Sequence, residues 1–127
     1  MGKETIHTDD GPPAAGAYSL ATTDGELVFT AGQVALTPDG ESLAGESIAV
    51  QTEQALDNLS TVLEAAGTNL DNVLKTTVFL SDIDDFEAMN EVYAGYFGSD
   101  PPARTALQAG ALPVGMAVEI EAVATRP

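Results

Sequence analysis

The segment from residue 47 to residue 67 carries the strongest structural signal in this sequence. Ser47 is suited to cap the start of a helix, and Gly67 is suited to end it. Apolar and small residues recur at the spacing of one helix face: Ile48, Ala55, Leu56, Leu59, Val62, Leu63 and Ala66. A helix with one apolar face needs a second layer to pack on, so the segment constrains the chain to a layered fold.

The rest of the chain predicts strands around a second helix. Residues 82–98 form that helix in our prediction, with a buried stripe of Phe86, Met89, Tyr93 and Phe97. Strands are predicted at 17–22, 26–36, 72–82, 103–112 and 115–125. The expected order is β-β-α-β-α-β-β in a single domain over residues 1–127, with both helices packed on one face of a mixed sheet. The strand at 72–82 is apolar on both sides, which predicts a central position in the sheet.

The charge balance restricts the partners that the protein can have. Four Lys and Arg residues face twenty Asp and Glu residues, a formal net charge of −16. Nucleic acid and anionic membrane surfaces repel such a chain, so neither is an expected partner. At about 1 M salt the Debye length falls to roughly 3 Å, which would screen the internal repulsion. We therefore hypothesise a protein of a high-salt cytoplasm, with an ordinary acidic protein as the alternative.

Several chemistries are unavailable or improbable on composition. The chain has no cysteine, which excludes disulfides, thiolate nucleophiles and cysteine metal sites. Its one histidine, His7, makes a histidine triad or a zinc site improbable, and no metal is expected. The polar N-terminus lacks a signal-peptide pattern, and no apolar run approaches 18 residues. We expect a cytoplasmic protein.

Arg104, in the stretch PPARTA, is the first candidate for chemistry. Its planar guanidinium is suited to binding a carboxylate with two hydrogen bonds. The structural alternative is an ion pair with Glu119 or Glu121 on a neighbouring strand. Both glutamates are expected on the sheet face opposite the helices, with Arg104 as a further candidate for that face. Charges set among apolar residues on a sheet face predict burial against another copy of the chain.

Three further residues are candidates, each with a structural alternative. Glu119 on a partly apolar strand could have a raised pKa and hold a water, or it could be a solvated cross-strand partner. Tyr18 could line a pocket or simply pack. Asn90 lies mid-helix, where asparagine is a poor helix former, so it either bonds a nearby group or is merely exposed.

The segments GAYS, FTAGQV, QALDNLSTVLEAAG, VLKTTVFLSDIDDFEAMNEVYAGYF, PPARTA and VEIEAVA resemble the RidA (YjgF/YER057c/UK114) family of enamine/imine deaminases. The resemblance runs in the same order from about residue 5 to residue 126. It implies a chorismate-mutase-like α+β fold and a homotrimer with sites in clefts between subunits. It also implies hydrolysis of 2-imino acids, such as the tautomer of 2-aminoacrylate, to 2-oxoacids and ammonia without a cofactor.

The resemblance also implies roles for individual residues. Arg104 corresponds to the arginine that binds the substrate carboxylate, and Glu119 to the glutamate that holds the attacking water. The implied substrate-binding positions are Tyr18, Ala31, Asn90, Thr105 and Ala106, with the backbone of the last two near the imine nitrogen. Two positions depart from the family, which often has serine at Ala31 and cysteine at Ala106. Two other functions stay open, a carboxylate-binding sensor and a holdase-like chaperone.

Overall fold

A six-stranded mixed β-sheet forms the centre of the protein, in a computed structural model that describes residues 2–127. The strands in chain order are β1 (Glu4–Ile6), β2 (Ala21–Thr23), β3 (Leu27–Thr30), β4 (Val73–Leu80), β5 (Ala103–Gln108) and β6 (Val118–Thr125). Their order across the sheet is β1-β2-β3-β6-β4-β5. The β4–β5 pair is parallel, and the other neighbours are antiparallel. The central position predicted for β4 is confirmed.

Two helices, α1 (Ile48–Ala65) and α2 (Phe86–Phe97), cover one face of this sheet. The predicted caps of α1 are confirmed, because the Val50 backbone N–H donates to the Ser47 hydroxyl at 3.2 Å. Gly67, with a φ of 86°, takes the left-handed conformation that turns the chain away after α1. The α+β class and the packing of both helices on one face are therefore confirmed.

The core lies between the helices and one face of β4 and β6. Alternate residues of both strands are buried there, together with the apolar face of α1: Thr76, Val78, Leu80, Val118, Ile120, Ala122, Leu56, Leu59 and Leu63. The predicted stripe of α2 holds for Met89, Tyr93 and Phe97, which are buried. Phe86 is only partly buried, because it lies at the edge where α2 passes over the last strand, β5.

Three strand predictions need correction, and one strand was missed. The predicted 17–22 strand begins only at Ala21 and ends at Thr23. The predicted 26–36 strand is paired only over Leu27–Thr30, after which the chain leaves the ladder apart from a bridge between Gln33 and Ile120. The predicted 103–112 strand ends at Gln108. Strand β1 was not predicted, because its pairing with β2 uses backbone groups and its short sequence buries only Ile6.

The second face of the sheet has no covering layer within residues 2–127. We call this the open face. Phe29 and Leu107 lie on it and are 48% and 39% exposed. It also carries Lys75, Thr77, Phe79, Thr105, Glu119, Glu121 and Val123. Neither helix of the described chain is both long and apolar enough to cross a membrane.

Candidate active site

Arg104 lies on β5, where its strand partner is the buried Thr76 of β4. This register places the guanidinium on the helix side of the sheet, against α2. Its Nη1 donates to the Asn90 side-chain oxygen at 2.7 Å. Its Cζ lies 4.6 Å from the ring centroid of Tyr93 and 5.2 Å from that of Phe86. Two aromatic faces and one amide therefore hold the cation in a fixed position.

The structure contradicts two expectations for Arg104. It does not share a face with Glu119 and Glu121, and it does not pair with either, because β4 separates their strands and the register turns the side chains to opposite faces. Within residues 2–127 the ion pair formed is instead Arg126 with Glu4, at 3.6 Å. Arg104 thus keeps guanidinium donors that no carboxylate of the described chain uses.

The Arg104 cleft is a cavity of about 310 Å³. Its lining comprises Asn90, Tyr93, Ala94, Phe97, Gly98, Pro101, Pro102 and Arg104. The hydroxyls of Tyr93 and Thr76 are 2.6 Å apart in the buried interior. Burial raises the pKa of Tyr93 against the opposing effects of this hydrogen bond and of Arg104. The ring therefore stays neutral and serves as a platform under the guanidinium.

The Glu119 cleft is a separate cavity of about 340 Å³ at the edge of the open face. Its lining comprises Ala15, Tyr18, Ala31, Gly32, Val34, Leu36, Pro113, Val114 and Glu119. Burial raises the pKa of Glu119, and the neighbouring Glu121 raises it further. A carboxylate whose pKa is raised is a better proton acceptor and is suited to exchanging protons with a water.

The loop after β3 forms one wall of the Glu119 cleft. Gln33 exchanges two backbone hydrogen bonds with Ile120, at 2.8 and 3.0 Å, which keeps the loop beside β6. At Gly32 a side chain would overlap the Glu119 carboxylate. The sequence analysis did not select Gly32, although a glycine in a β-type run is a signal of close backbone approach.

Val114 is a second lining residue that the sequence analysis missed. Its φ of 49° and ψ of 33° put a β-branched residue in the left-handed region, where a backbone strain of about 1–3 kcal/mol is expected. It lies between Pro113 and Gly115, in a short 3₁₀ turn just before β6. Sequence alone gave no signal for this conformation, since valine is among the residues that least favour it.

The structure thus divides the candidate residues between two places. Arg104 and Asn90 lie in one cleft, and Tyr18, Ala31 and Glu119 lie in the other. Tyr18 is 49% exposed, and its hydroxyl accepts a hydrogen bond from the Ala15 backbone N–H at 3.1 Å.

Thr105 and Ala106, the remaining two candidates, line neither cleft. The Thr105 hydroxyl accepts a hydrogen bond from the Lys75 Nζ at 3.0 Å on the open face. Ala106 packs against the core on the helix side of β5. Both residues directly follow Arg104 on β5, so their backbone adjoins that of Arg104.

Comparison with known proteins agrees with this architecture. The chain is 43% identical to the human 2-iminobutanoate/2-iminopropanoate deaminase over 122 residues, which is 96% of this chain and 89% of that protein. The crystal structure of YEO7 from yeast superposes with a TM-score of 0.95 at 40% identity, over 99% of this chain and 100% of that one. The crystal structure of E. coli TdcF with bound serine gives a TM-score of 0.90 at 34% identity, over 98% and 99% of the two chains.

The family described as Endoribonuclease L-PSP matches residues 8–126, nearly the whole chain. The fold, the order of the elements and the extent of these matches agree with the resemblance seen in the sequence. The protein therefore belongs to the Endoribonuclease L-PSP family, which is the RidA (YjgF) family.

Proposed function

We propose that this protein hydrolyses 2-imino acids to 2-oxoacids and ammonia, at sites formed between the subunits of a homotrimer. The observation that carries the proposal is the Arg104 guanidinium, which Asn90 and two rings hold in a cleft and whose remaining donors no carboxylate of residues 2–127 uses. Such a group is suited to a small carboxylate. The deaminase name of the human relative and the serine bound by E. coli TdcF, an amino acid with a carboxylate, support it.

The trimer follows from the separation of the two clefts. One chain holds its carboxylate-binding group and its candidate base on opposite faces of the sheet, so a substrate small enough to be an imino acid does not reach both. The open face, with Phe29 and Leu107 exposed, is suited to burial against another subunit. In our proposal, the Arg104 cleft of one subunit meets the Glu119 cleft of its neighbour.

The proposed reaction needs little beyond orientation and one proton acceptor. Arg104 binds the substrate carboxylate and thereby fixes the imine carbon, which is already electrophilic. Glu119 takes a proton from a water as the water oxygen bonds to that carbon, and it passes this proton to the imine nitrogen to give a carbinolamine. Glu119 then takes the proton of the carbinolamine hydroxyl and delivers it to the nitrogen, so the C–N bond breaks and ammonia leaves as the 2-oxoacid carbonyl forms. Alignment and general base catalysis together supply the rate.

A mixing experiment tests both the reaction and the shared site. Arg104→Ala and Glu119→Gln are each expected to be inactive toward an imine generated in situ by an amino-acid oxidase. When they are unfolded together and refolded in equal amounts, about one quarter of the sites should combine an intact Arg104 with an intact Glu119 from the neighbour. Activity should then return to about that fraction of wild type.

Two controls make the result specific. Arg104→Ala refolded with the double variant Arg104→Ala/Glu119→Gln should recover nothing, since no Arg104 is present. If trimers form but neither mixture recovers activity, then either one chain supplies the whole site or the assignment of Arg104 and Glu119 to it is wrong.

A sensor that binds a carboxylate without turnover is the second candidate, since the Arg104 cleft is formed within one chain. Binding of a 2-oxoacid without acceleration of imine hydrolysis would favour it. We do not propose RNA cleavage, because a formal net charge of −16 opposes binding to a polyanion.

A further inference from the structure

Val114 combines backbone strain with exposure at the Glu119 cleft. Its left-handed φ of 49° is the only positive φ of a non-glycine residue within residues 2–127, and the residue is 66% exposed. Glycine or asparagine would adopt this conformation at lower cost. Neither core packing nor turn geometry therefore accounts for a valine at this position.

The surroundings of Val114 are apolar on the side away from the carboxylate. Val34 and Leu36 line the same cleft, and Ala31 places a methyl group there instead of a hydroxyl. Glu119 is the one charged side chain in the lining. The cleft thus has one charged side chain, the candidate base Glu119, and an extended apolar wall.

The chemistry of the substrate assigns a use to this wall. The carbon that reacts in a 2-imino acid has three substituents: a carboxylate, a nitrogen and a side chain. In the proposed function the carboxylate goes to Arg104, and the nitrogen and the attacking water lie by Glu119. The substrate side chain is then the one substituent without an assigned binding surface. The apolar wall is the one part of the cleft without an assigned ligand group.

We propose that Val114 is a specificity-determining residue that selects 2-imino acids with aliphatic side chains larger than methyl. The inference rests on the proposed deaminase function. The strained turn holds an isopropyl group at the cleft, where it contacts an aliphatic side chain and leaves a polar one without a hydrogen-bond partner. Acidic side chains are disfavoured further by the charges of Glu119 and Glu121.

The test compares two imines made in situ by an amino-acid oxidase, one from leucine and one from alanine. Wild-type protein should give the higher kcat/KM with the leucine-derived imine. Glycine and asparagine both tolerate the left-handed turn. Val114→Gly therefore removes the side chain, and Val114→Asn replaces it with a polar one. Each should lower the leucine-to-alanine ratio of kcat/KM about tenfold, because loss of the isopropyl contact lowers kcat/KM more for the leucine-derived imine than for the alanine-derived imine.

Val50→Asn is the matched control, since Val50 is also an exposed valine but lies on α1, outside both clefts. It should leave the ratio unchanged. Both Val114 variants should melt at or above the wild-type temperature, because they relieve strain. A changed ratio in these stable variants supports the specificity role, which a purely structural turn residue would not affect.

The failures of the two proposals are distinguishable. An unchanged ratio in both Val114 variants, with the alanine-derived imine still turned over, overturns the specificity role alone. No acceleration of either imine by wild-type protein overturns the proposed function, and the specificity role with it.

Discussion

Arg104 and Glu119 project from opposite faces of one sheet, with β4 between the strands that carry them. Arg104 is level with Thr76 of β4, and Glu119 is level with Phe79. These two positions are three residues apart on β4, an odd spacing, so the alternation of a strand turns the side chains to opposite faces. The pair is therefore available to one substrate only if a second subunit contributes half of the site.

Assembly is the first expected consequence. The protein should sediment as a trimer of three 13.0 kDa chains, about 39 kDa. Phe29→Lys places a charge on the open face, where Phe29 is 48% exposed, and should shift the population toward monomer. Ile83→Lys, an exposed apolar residue before α2, is the control and should leave the mass unchanged. A wild-type monomer in high salt would contradict both the trimer and the shared site.

Arg104→Lys should be nearly as damaging as Arg104→Ala. Lysine keeps the charge, but it lacks the planar fork that fixes both carboxylate oxygens and stacks on Tyr93. We expect a loss of kcat/KM of about 100-fold or more in each variant, measured with an imine generated in situ. Arg126 pairs with Glu4, so Arg126→Lys is the control and should retain activity. Substantial activity in Arg104→Lys would rule out a two-oxygen contact with the substrate.

Glu119 should set the acid limb of the pH–activity profile. Burial, and secondarily Glu121, raises the pKa of Glu119, so activity should fall at a higher pH than an ordinary glutamate would give. Glu121→Gln removes the negative charge that helps to raise the pKa of Glu119, and it should move this limb to lower pH. Glu64→Gln, on the exposed side of α1, should not move it. An acid limb that persists unchanged in Glu119→Gln would assign it to another group.

The same shift in the pKa of Glu119 has an effect on stability. A pKa that is higher in the folded protein means that folding favours the protonated form, and this stabilisation is lost as pH rises through the folded pKa. Glu119→Gln stays neutral, so its melting temperature relative to wild type should be higher at about pH 7 than at about pH 4. A difference that does not vary with pH would contradict the burial of this carboxylate.

Gly32→Ala should damage the site without unfolding the protein. The added methyl group overlaps the Glu119 carboxylate, so the side chain must move from its position in the cleft. We expect kcat to fall about tenfold or more, by the same in situ assay. Gly95→Ala is the control, because nothing lies within 4 Å of a side chain added there, and it should stabilise α2 by about 0.5–1 kcal/mol. Full activity in Gly32→Ala would show that the observed Glu119 position is not needed.

Salt should stabilise the protein. The formal net charge of −16 repels within each chain and between chains, and the melting temperature should rise between about 0.1 M and about 2 M KCl. KCl also strengthens apolar burial, so a charge variant is the control. Replacing the exposed Glu41, Glu46 and Glu91 with glutamine should reduce the slope. Equal slopes would attribute the effect to apolar burial rather than to charge, and a flat wild-type curve would remove the high-salt hypothesis.

The sequence by itself determined the elements that depend on local chemistry. Periodicity identified α1 and α2, the Ser47 and Gly67 positions marked the ends of α1, and apolar residues on both sides placed β4 at the centre. The planar guanidinium of Arg104 in PPARTA marked it as a candidate for carboxylate binding, and the quoted motifs identified the family. The helix, cap and strand signals are carried by neighbours along the chain, within one or two turns of a helix or a few residues of a strand.

Only the tertiary structure decided which side chains meet. In the sheet, β4 lies between β5 and β6. The strand register then points Arg104 toward α2 and Glu119 toward the open face. The rings of Tyr93 and Phe86 under the guanidinium and the contact of Gly32 with Glu119 likewise arise from pairings distant in sequence. Strand order and register are set by the free energy of the whole packed sheet, which no local pattern of residues encodes.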